Sequence, residues 1–260
     1  MTNICILVDW SECVDYPNGT FTLGVQLDSE REKTIQVLDK CQKAVYFADV
    51  HPKKSIEFGI NGGLYCTHAL VNADLSFAKE GHASCRLTDK LREKINQKGM
   101  KGGIVLPNSV QYQEPEDPLI PDQVRETFDN YPIIETPEDN QYDYMVSCKH
   151  FLNGTALENI PYGDPKKEFT AATVLQYQYG KGKDVTFYVC GHCSAICVFH
   201  TASGLKQLFP EAKVIVVKDT CYPLIAEAFG ITSREQDDEV VGSLFAQIGV
   251  IFKPLADIEF

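Results

Sequence analysis

Short, unbroken runs of apolar residues are the feature that most limits how this chain can fold. Ile4–Val8 ends at Asp9, Val185–Val189 ends close to Gly191, and Val214–Val217 ends at a lysine. Such runs are typical of strands buried on both faces of a parallel sheet. Segments with helix-like spacing alternate with them, around Glu30–Lys40, Lys166–Gln178, Ala195–Leu208 and Arg234–Gln247. The alternation predicts a single-domain doubly wound parallel sheet over residues 1–260, an α/β fold with helices on both faces.

The stretch that follows Val185–Val189 contains a candidate nucleophile. The strand pattern breaks at Gly191 and restarts as a helix-like segment that carries Cys197. A thiol in the first turn of a helix is favoured as thiolate, because unpaired backbone N–H groups and the helix dipole stabilise an anion. A buried core thiol is an equally good interpretation of this residue alone. Cys190 and Cys193 form a single CxxC pair, which is weak support for structural zinc or a redox motif.

Two other predicted strands end in residues that suit the chemistry of a thiol. Asp9 follows the first strand, and Lys149 follows the run Tyr144–Cys148. The carboxyl ends of parallel strands converge on one edge of the sheet, where ligands bind. A carboxylate there could accept the thiol proton, and a lysine could stabilise both anions. The alternatives are an aspartate that caps a turn and a solvated lysine.

A further run, Val45–Ala48, ends in the residues Asp49–Pro52. In an extended chain Asp49 and His51 point to the same side, so a carboxylate and an imidazole could hold one metal ion. A polar turn without an ion is the alternative for these two residues alone. A useful site needs a third ligand, for which His68 and His82 are the candidates.

These segments together resemble the isochorismatase-like cysteine hydrolases, and within them the nicotinamidases. Asp49–Pro52 followed by Ile60–His68 is similar to the D-x-H-P segment of nicotinamidases with its later aromatic residue and histidine. The resemblance implies that His68, rather than His82, completes a divalent metal site with Asp49 and His51. Zinc is the expected ion, with iron or manganese as alternatives. The same resemblance assigns Tyr65 to the pyridine pocket.

The nucleophile stretch is similar to the family pattern G-V-A-T-D/E-x-C-V, although Ala195 stands where the family has an acid. The matching positions are Gly191, Ser194, Cys197 and Val198. The resemblance implies a cis peptide between His192 and Cys193, and an oxyanion hole made by the backbone N–H groups of Cys193 and Cys197. It also makes His192 a substrate-binding residue. The segment that begins at Lys149 resembles the catalytic-lysine segment of the family.

Three positions depart from the family pattern. Val14 stands where the family has a pocket phenylalanine, Ser11 replaces a glutamine, and Ser55 stands where many nicotinamidases have another histidine. Ser55 or water would then complete the metal site, and Val14 would line the substrate pocket.

The resemblance implies hydrolysis of nicotinamide to nicotinic acid and ammonia through a cysteine thioester. One alternative is a related cysteine amidohydrolase that acts on another small amide or carbamoyl compound. Another, from a different class, is a thiol redox or ligand-binding protein that uses Cys190 and Cys193.

Composition agrees with a soluble enzyme of the cytoplasm, and the family resemblance implies a small-molecule amide as its substrate. The net charge of −12 makes nucleic acid a poor partner. Several cysteines lie inside apolar runs and no signal segment precedes the first strand, which favours a reduced compartment. No apolar stretch approaches the length of about 20 residues that a membrane span needs. Acidic residues and prolines concentrate between Gln113 and Asp143, so we expect an acidic Pro-rich insertion around residues 97–143. It would be a lid over the active site, or a solvated arm that forms an interface, for example in a homo-oligomer.

Overall fold

Six parallel strands form one sheet at the centre of the part of the chain that the structure describes. The computed structural model describes residues 1–10, 12–15, 27–50, 87–98, 104–110, 179–223 and 230–260. The strands of these ranges are β1 (Thr2–Val8), β2 (Lys43–Val50), β3 (Ile104–Val110), β4 (Val185–Gly191), β5 (Lys213–Cys221) and β6 (Ile251–Lys253). Every neighbouring pair is parallel.

The order of the strands reverses in the middle of the sheet. Their spatial order is β3-β2-β1-β4-β5-β6. The chain therefore moves outward from β1 to β3 and then returns to the other side of β1 with β4. Open α/β sheets bind ligands at such a reversal, outside the carboxyl ends of the central strands, which are β1 and β4 in this sheet. The doubly wound fold predicted from the apolar runs is confirmed.

Helices cover the sheet through apolar stripes. The helices of the described ranges are α1 (Glu12–Asp15), α2 (Asp28–Lys40), α3 (Asp89–Gln97), α4 (Phe199–Leu208) and α5 (Arg234–Gln247), with a π-helical turn at Ser194–Val198 and a 3₁₀ turn at Leu255–Asp257. Helix α2 packs against α3, and α4 packs against α5. β1 and β4 are almost wholly buried, as strands covered on both faces must be.

The helix at the carboxyl end of the chain has clear local signals. Ser233 caps α5, because its side chain accepts a hydrogen bond from the Gln236 N–H at 3.3 Å. Along α5, Asp237, Val241 and Phe245 are buried at a spacing of four residues. That spacing puts them on one face of the helix. The Asp237 carboxylate thus lies on the face of α5 that packs into the core.

Four predicted strands and three predicted helices match the structure within a few residues. The strand predicted at Tyr144–Cys148 and the helix at Lys166–Gln178 lie outside the described residues. β3, which we did not predict, falls within the range assigned to an insertion, so residues 104–110 belong to the sheet. The reason for the miss is Pro107, which cuts the apolar run to three residues; proline is tolerated in strands at a sheet edge. Within the described ranges no helix is long and apolar enough to cross a membrane.

Candidate active site

Asp9 lies at the carboxyl edge of the sheet, immediately after β1. Its backbone turns sharply, with a φ of +55°, and its N–H donates a hydrogen bond to the Phe47 carbonyl at 2.9 Å. The residue is only 5% exposed. A carboxylate is therefore held at the centre of the sheet edge, as the sequence predicted.

Gly191 brings β4 against β1 at the same level. It pairs with Val8 in the parallel register, and the next residue donates its N–H to the Val8 carbonyl at 3.1 Å. A Cβ atom on Gly191 would lie 1.9 Å from that carbonyl oxygen, and the glycine has a φ of +147°. Only glycine allows this approach. The β1–β4 seam thus sets Asp9 beside the stretch Gly191–Val198, which we call the nucleophile segment.

The nucleophile segment leaves the sheet through a cis peptide and enters a helix. The peptide between His192 and Cys193 is cis, as the family resemblance implied. The Cys193 carbonyl accepts the N–H groups of Ile196 at 3.1 Å and Val198 at 3.2 Å, which forms the π-helical turn. Cys197 lies in this turn and is 9% exposed. The thiol is therefore at the start of a helical stretch, as predicted.

A second strand holds the nucleophile segment from the other side. The Ser194 N–H donates to the Tyr222 carbonyl at 2.9 Å, and the Tyr222 N–H donates to the Gly191 carbonyl at 3.2 Å. The Ser194 hydroxyl donates to the carboxylate of Asp237 at 2.7 Å. Asp237 is a residue that the sequence analysis missed. The signal was a charged residue on the stripe of α5 that is otherwise apolar.

His192 is buried as a neutral imidazole. It is 2% exposed, and its ring lies 4.2 Å from the Trp10 ring, centroid to centroid, in an edge-on contact. Burial, followed by the charge of Arg31, lowers the pKa of His192 to about 3. Among the described residues neither ring nitrogen has a hydrogen-bond partner. Its predicted role in substrate binding stays a prediction.

A buried ion pair lies near the beginning of the chain. Arg31 of α2 donates to the Asp15 carboxylate at 2.5 Å, and it also pairs with Asp28 at the surface. Burial raises the pKa of Asp15, although Arg31 opposes the shift. Val14, the predicted pocket residue, is 4% exposed.

The cysteines of the CxxC pair differ in their surroundings. Cys190 is fully buried in β4, whereas Cys193 is partly exposed, and the two thiols are free. Burial, followed by contacts with the thiols of Cys190 and Cys41, raises the pKa of Cys5 well above its usual value. Burial likewise raises the pKa of Cys221 to about 12. Cys190 thus belongs to a group of core thiols, which does not favour a redox pair with Cys193.

The metal site predicted from the sequence is described only in part. Asp49 lies near the carboxyl end of β2 and pairs with Ser109, and the register shifts between Ala48 and Asp49. Irregularities of this kind are common beside active sites, because they redirect side chains. The other predicted site residues, His51, Tyr65, His68 and Lys149, lie outside the described ranges, as do Ser11 and Ser55. Within those ranges no group of three His, Cys, Asp or Glu residues could hold a metal.

Comparison with solved structures identifies a fold shared with nicotinamidases. PnC1 from L. infantum, in complex with nicotinate, is 15% identical, with a TM-score of 0.56 over 98% of this chain and 93% of that one. The yeast nicotinamidase Pnc1p is 14% identical, with a TM-score of 0.56 over 97% and 99% of the two chains. Nicotinamidase PncA from Bacillus subtilis is 13% identical, with a TM-score of 0.52 over 96% and 98%.

This likeness is one of fold. No protein-family model matches the sequence, and no curated protein matches it. The fold implied by the family resemblance is confirmed.

Proposed function

We propose that this chain is a nicotinamidase, which hydrolyses nicotinamide to nicotinic acid and ammonia through a thioester on Cys197. The observation that carries the proposal is the β1–β4 seam, where Val8 pairs with Gly191. It brings a buried carboxylate, Asp9, to the same sheet edge as a cysteine in the first turn of a helix. The fold shared with nicotinamidases supports the same conclusion.

In the proposed mechanism Asp9 acts first as a base and then as an acid. Asp9 accepts the proton of the Cys197 thiol, and the thiolate attacks the carbon of the carboxamide. The N–H groups of Cys193 and Cys197 stabilise the oxyanion. Asp9 then protonates the departing ammonia as the C–N bond breaks and the thioester forms. Asp9 then takes a proton from a water molecule, whose oxygen attacks the thioester carbon; the C–S bond breaks, the acid is released, and the proton returns from Asp9 to the Cys197 thiolate. Lys149 stabilises the carboxylate and the thiolate.

A divalent metal ion is part of the proposal. Asp49, His51 and His68 form a donor set of one carboxylate and two imidazoles, which suits zinc, iron or manganese. Bound there, the ion would supply a Lewis acid for the pyridine nitrogen of the substrate and so orient the carboxamide. Tyr65 and His192 complete the proposed substrate site.

Release of ammonia from nicotinamide, measured with the purified protein, tests the proposal. Benzamide, which lacks the ring nitrogen, should be a poor substrate. Cys197→Ala should lower turnover at least about 1,000-fold, because the nucleophile is lost. Asp9→Asn should be almost as damaging, since a carboxamide cannot accept the proton. Cys190→Ala is the matched control, because that thiol lies in the core, and it should retain most of the activity.

Two results would contradict the proposal at different levels. Near-normal turnover in the Cys197→Ala protein would refute the cysteine mechanism. Equal turnover of nicotinamide and benzamide by the wild-type protein would refute the nicotinamidase function alone. The second result would favour a cysteine amidohydrolase with another small amide or carbamoyl substrate. The sequence feature that suggests it is Val14, which stands where the family has a pocket phenylalanine.

A further inference from the structure

Asp237 lies in the core, where a charged residue is seldom found unless it has a structural or functional role. It is 0% exposed on the buried face of α5, next in the stripe to Val241 and Phe245. Burying a carboxylate is costly unless it receives hydrogen bonds. One of these comes from the Ser194 hydroxyl at 2.7 Å, and Ser194 itself is 2% exposed. The pair is thus a buried polar contact between α5 and the nucleophile segment.

Ser194 is the residue through which the nucleophile segment is fixed on two sides. Its N–H donates to Tyr222 at the end of β5, and its side chain donates to Asp237. It follows Cys193 directly, and it precedes Cys197 by three residues within one helical turn. A movement of Ser194 would therefore displace both the Cys193 amide and the turn that carries the thiol.

The helix that carries Asp237 is itself firmly anchored. Arg234, in the first turn of α5, donates to the carbonyls of Lys218 at 2.8 Å and Cys221 at 2.9 Å. These carbonyls belong to the part of β5 where its register with β4 is interrupted. Asp238 adds an ion pair with Lys218 at 2.7 Å. The helix α5, which carries the Asp237 carboxylate, is thus attached to the edge of the sheet.

We propose that Asp237 is a positioning residue, which acts through Ser194 to hold the nucleophile segment in its reactive geometry. The inference rests on the proposed function, in which the Cys193 amide and the Cys197 thiol act on the substrate. In this role the hydrogen bond fixes the position of the Cys193 amide relative to the Cys197 thiol, and Asp237 acts on the reaction through Ser194. Loss of the hydrogen bond between Ser194 and Asp237 should slow the chemical step much more than it weakens substrate binding. The reason is that a misplaced oxyanion donor stabilises the transition state less well.

Substitutions at both ends of the hydrogen bond test this inference. Ser194→Ala and Asp237→Ala should each lower kcat for nicotinamide roughly 10- to 100-fold, with KM within about twofold of wild type. Asp237→Asn should recover most of the lost kcat, because the amide oxygen still accepts from the hydroxyl. The matched controls are Ser203→Ala and Asp39→Asn. The Ser203 hydroxyl donates to the Phe199 carbonyl of its own helix, and Asp39 of α2 pairs with Lys94 of α3.

Hydrogen exchange adds a readout that does not depend on activity. Amides of the nucleophile segment should exchange faster in Ser194→Ala than in Ser203→Ala at equal thermal stability. Wild-type kcat in Ser194→Ala, or an equal rise in KM and fall in kcat, would overturn the inference. A wild-type protein that hydrolyses no amide refutes the proposed function instead. In that case faster exchange still supports the contact, and unchanged exchange overturns it.

Discussion

Replacement of Gly191 by alanine should strongly destabilise the protein, because the added methyl group would clash with β1. The new Cβ would lie 1.9 Å from the Val8 carbonyl oxygen and 2.9 Å from the Val8 Cβ. These are atoms of β1 and not the end of a flexible side chain. Relief of the clash therefore requires β1 and β4 to separate at the edge where Asp9 and the nucleophile segment meet.

The expected cost is the sum of three effects. A non-glycine residue held at a φ of +147° costs about 1–3 kcal/mol. Overpacking against a strand costs about 1–3 kcal/mol. Separation of the strands also weakens the 3.1 Å hydrogen bond to the Val8 carbonyl, which contributes about 1 kcal/mol. The total is roughly 3–7 kcal/mol, a large part of the free energy of unfolding of a typical domain.

Urea denaturation followed by circular dichroism measures this loss. Gly180→Ala is the matched control, because Gly180 also has a positive φ, +56°, but an added Cβ there meets no atom within 4 Å. The control should cost about 1 kcal/mol, the penalty of the backbone conformation alone. An equal loss of stability in both variants would contradict the inference that β4 lies too close to β1 for a side chain at position 191.

Three further predictions concern charged groups. Because burial lowers the pKa of His192 to about 3, the unfolded chain binds its proton first, and stability should fall as pH drops below about 6.5. Between pH 7 and 5 that loss is about 2 kcal/mol, and it should be absent from urea curves of His192→Asn. Arg31→Met should cost about 2–4 kcal/mol by leaving Asp15 buried without its partner, whereas Arg92→Met, at a more exposed ion pair, should cost less than about 0.5 kcal/mol in thermal unfolding. Removal of metal by a chelator should raise KM for nicotinamide while Cys197 remains alkylable, and His68→Ala should have the same effect; an unchanged KM would contradict the metal proposal.

Much of the sheet could be predicted because its signals are local. Ile4–Val8 and Val185–Val189 are apolar throughout, and a strand buried on both faces needs no partner to be recognised. The same locality placed Asp9 at the end of its strand. β6 has only three residues, Ile251–Lys253, and β3 is interrupted by Pro107, so neither has a pattern long enough to stand out.

The contacts that shape the candidate site could not be predicted in this way. The hydrogen bond between Ser194 and Asp237 joins residues 43 positions apart, and nothing around either residue specifies its partner. The same is true of Arg234, whose guanidinium bonds carbonyls of β5. Family resemblance correctly indicated the cis peptide after His192, because that resemblance draws on a whole motif and not on the propensity of two residues.

The β1–β4 seam also determines at which stage of synthesis and folding the candidate site can form. Asp9 belongs to the first strand, whereas Cys197 belongs to the final third of the sequence, and the register joins Thr2 to Val185. During synthesis β1 therefore cannot pair with β4 until most of the polypeptide has been made. Pairing over such a sequence distance is slow to form. If the proposed function is correct, hydrolysis should be among the last properties to appear during refolding, after the helices. Two separately made fragments divided between β1 and β4 should be inactive until they associate.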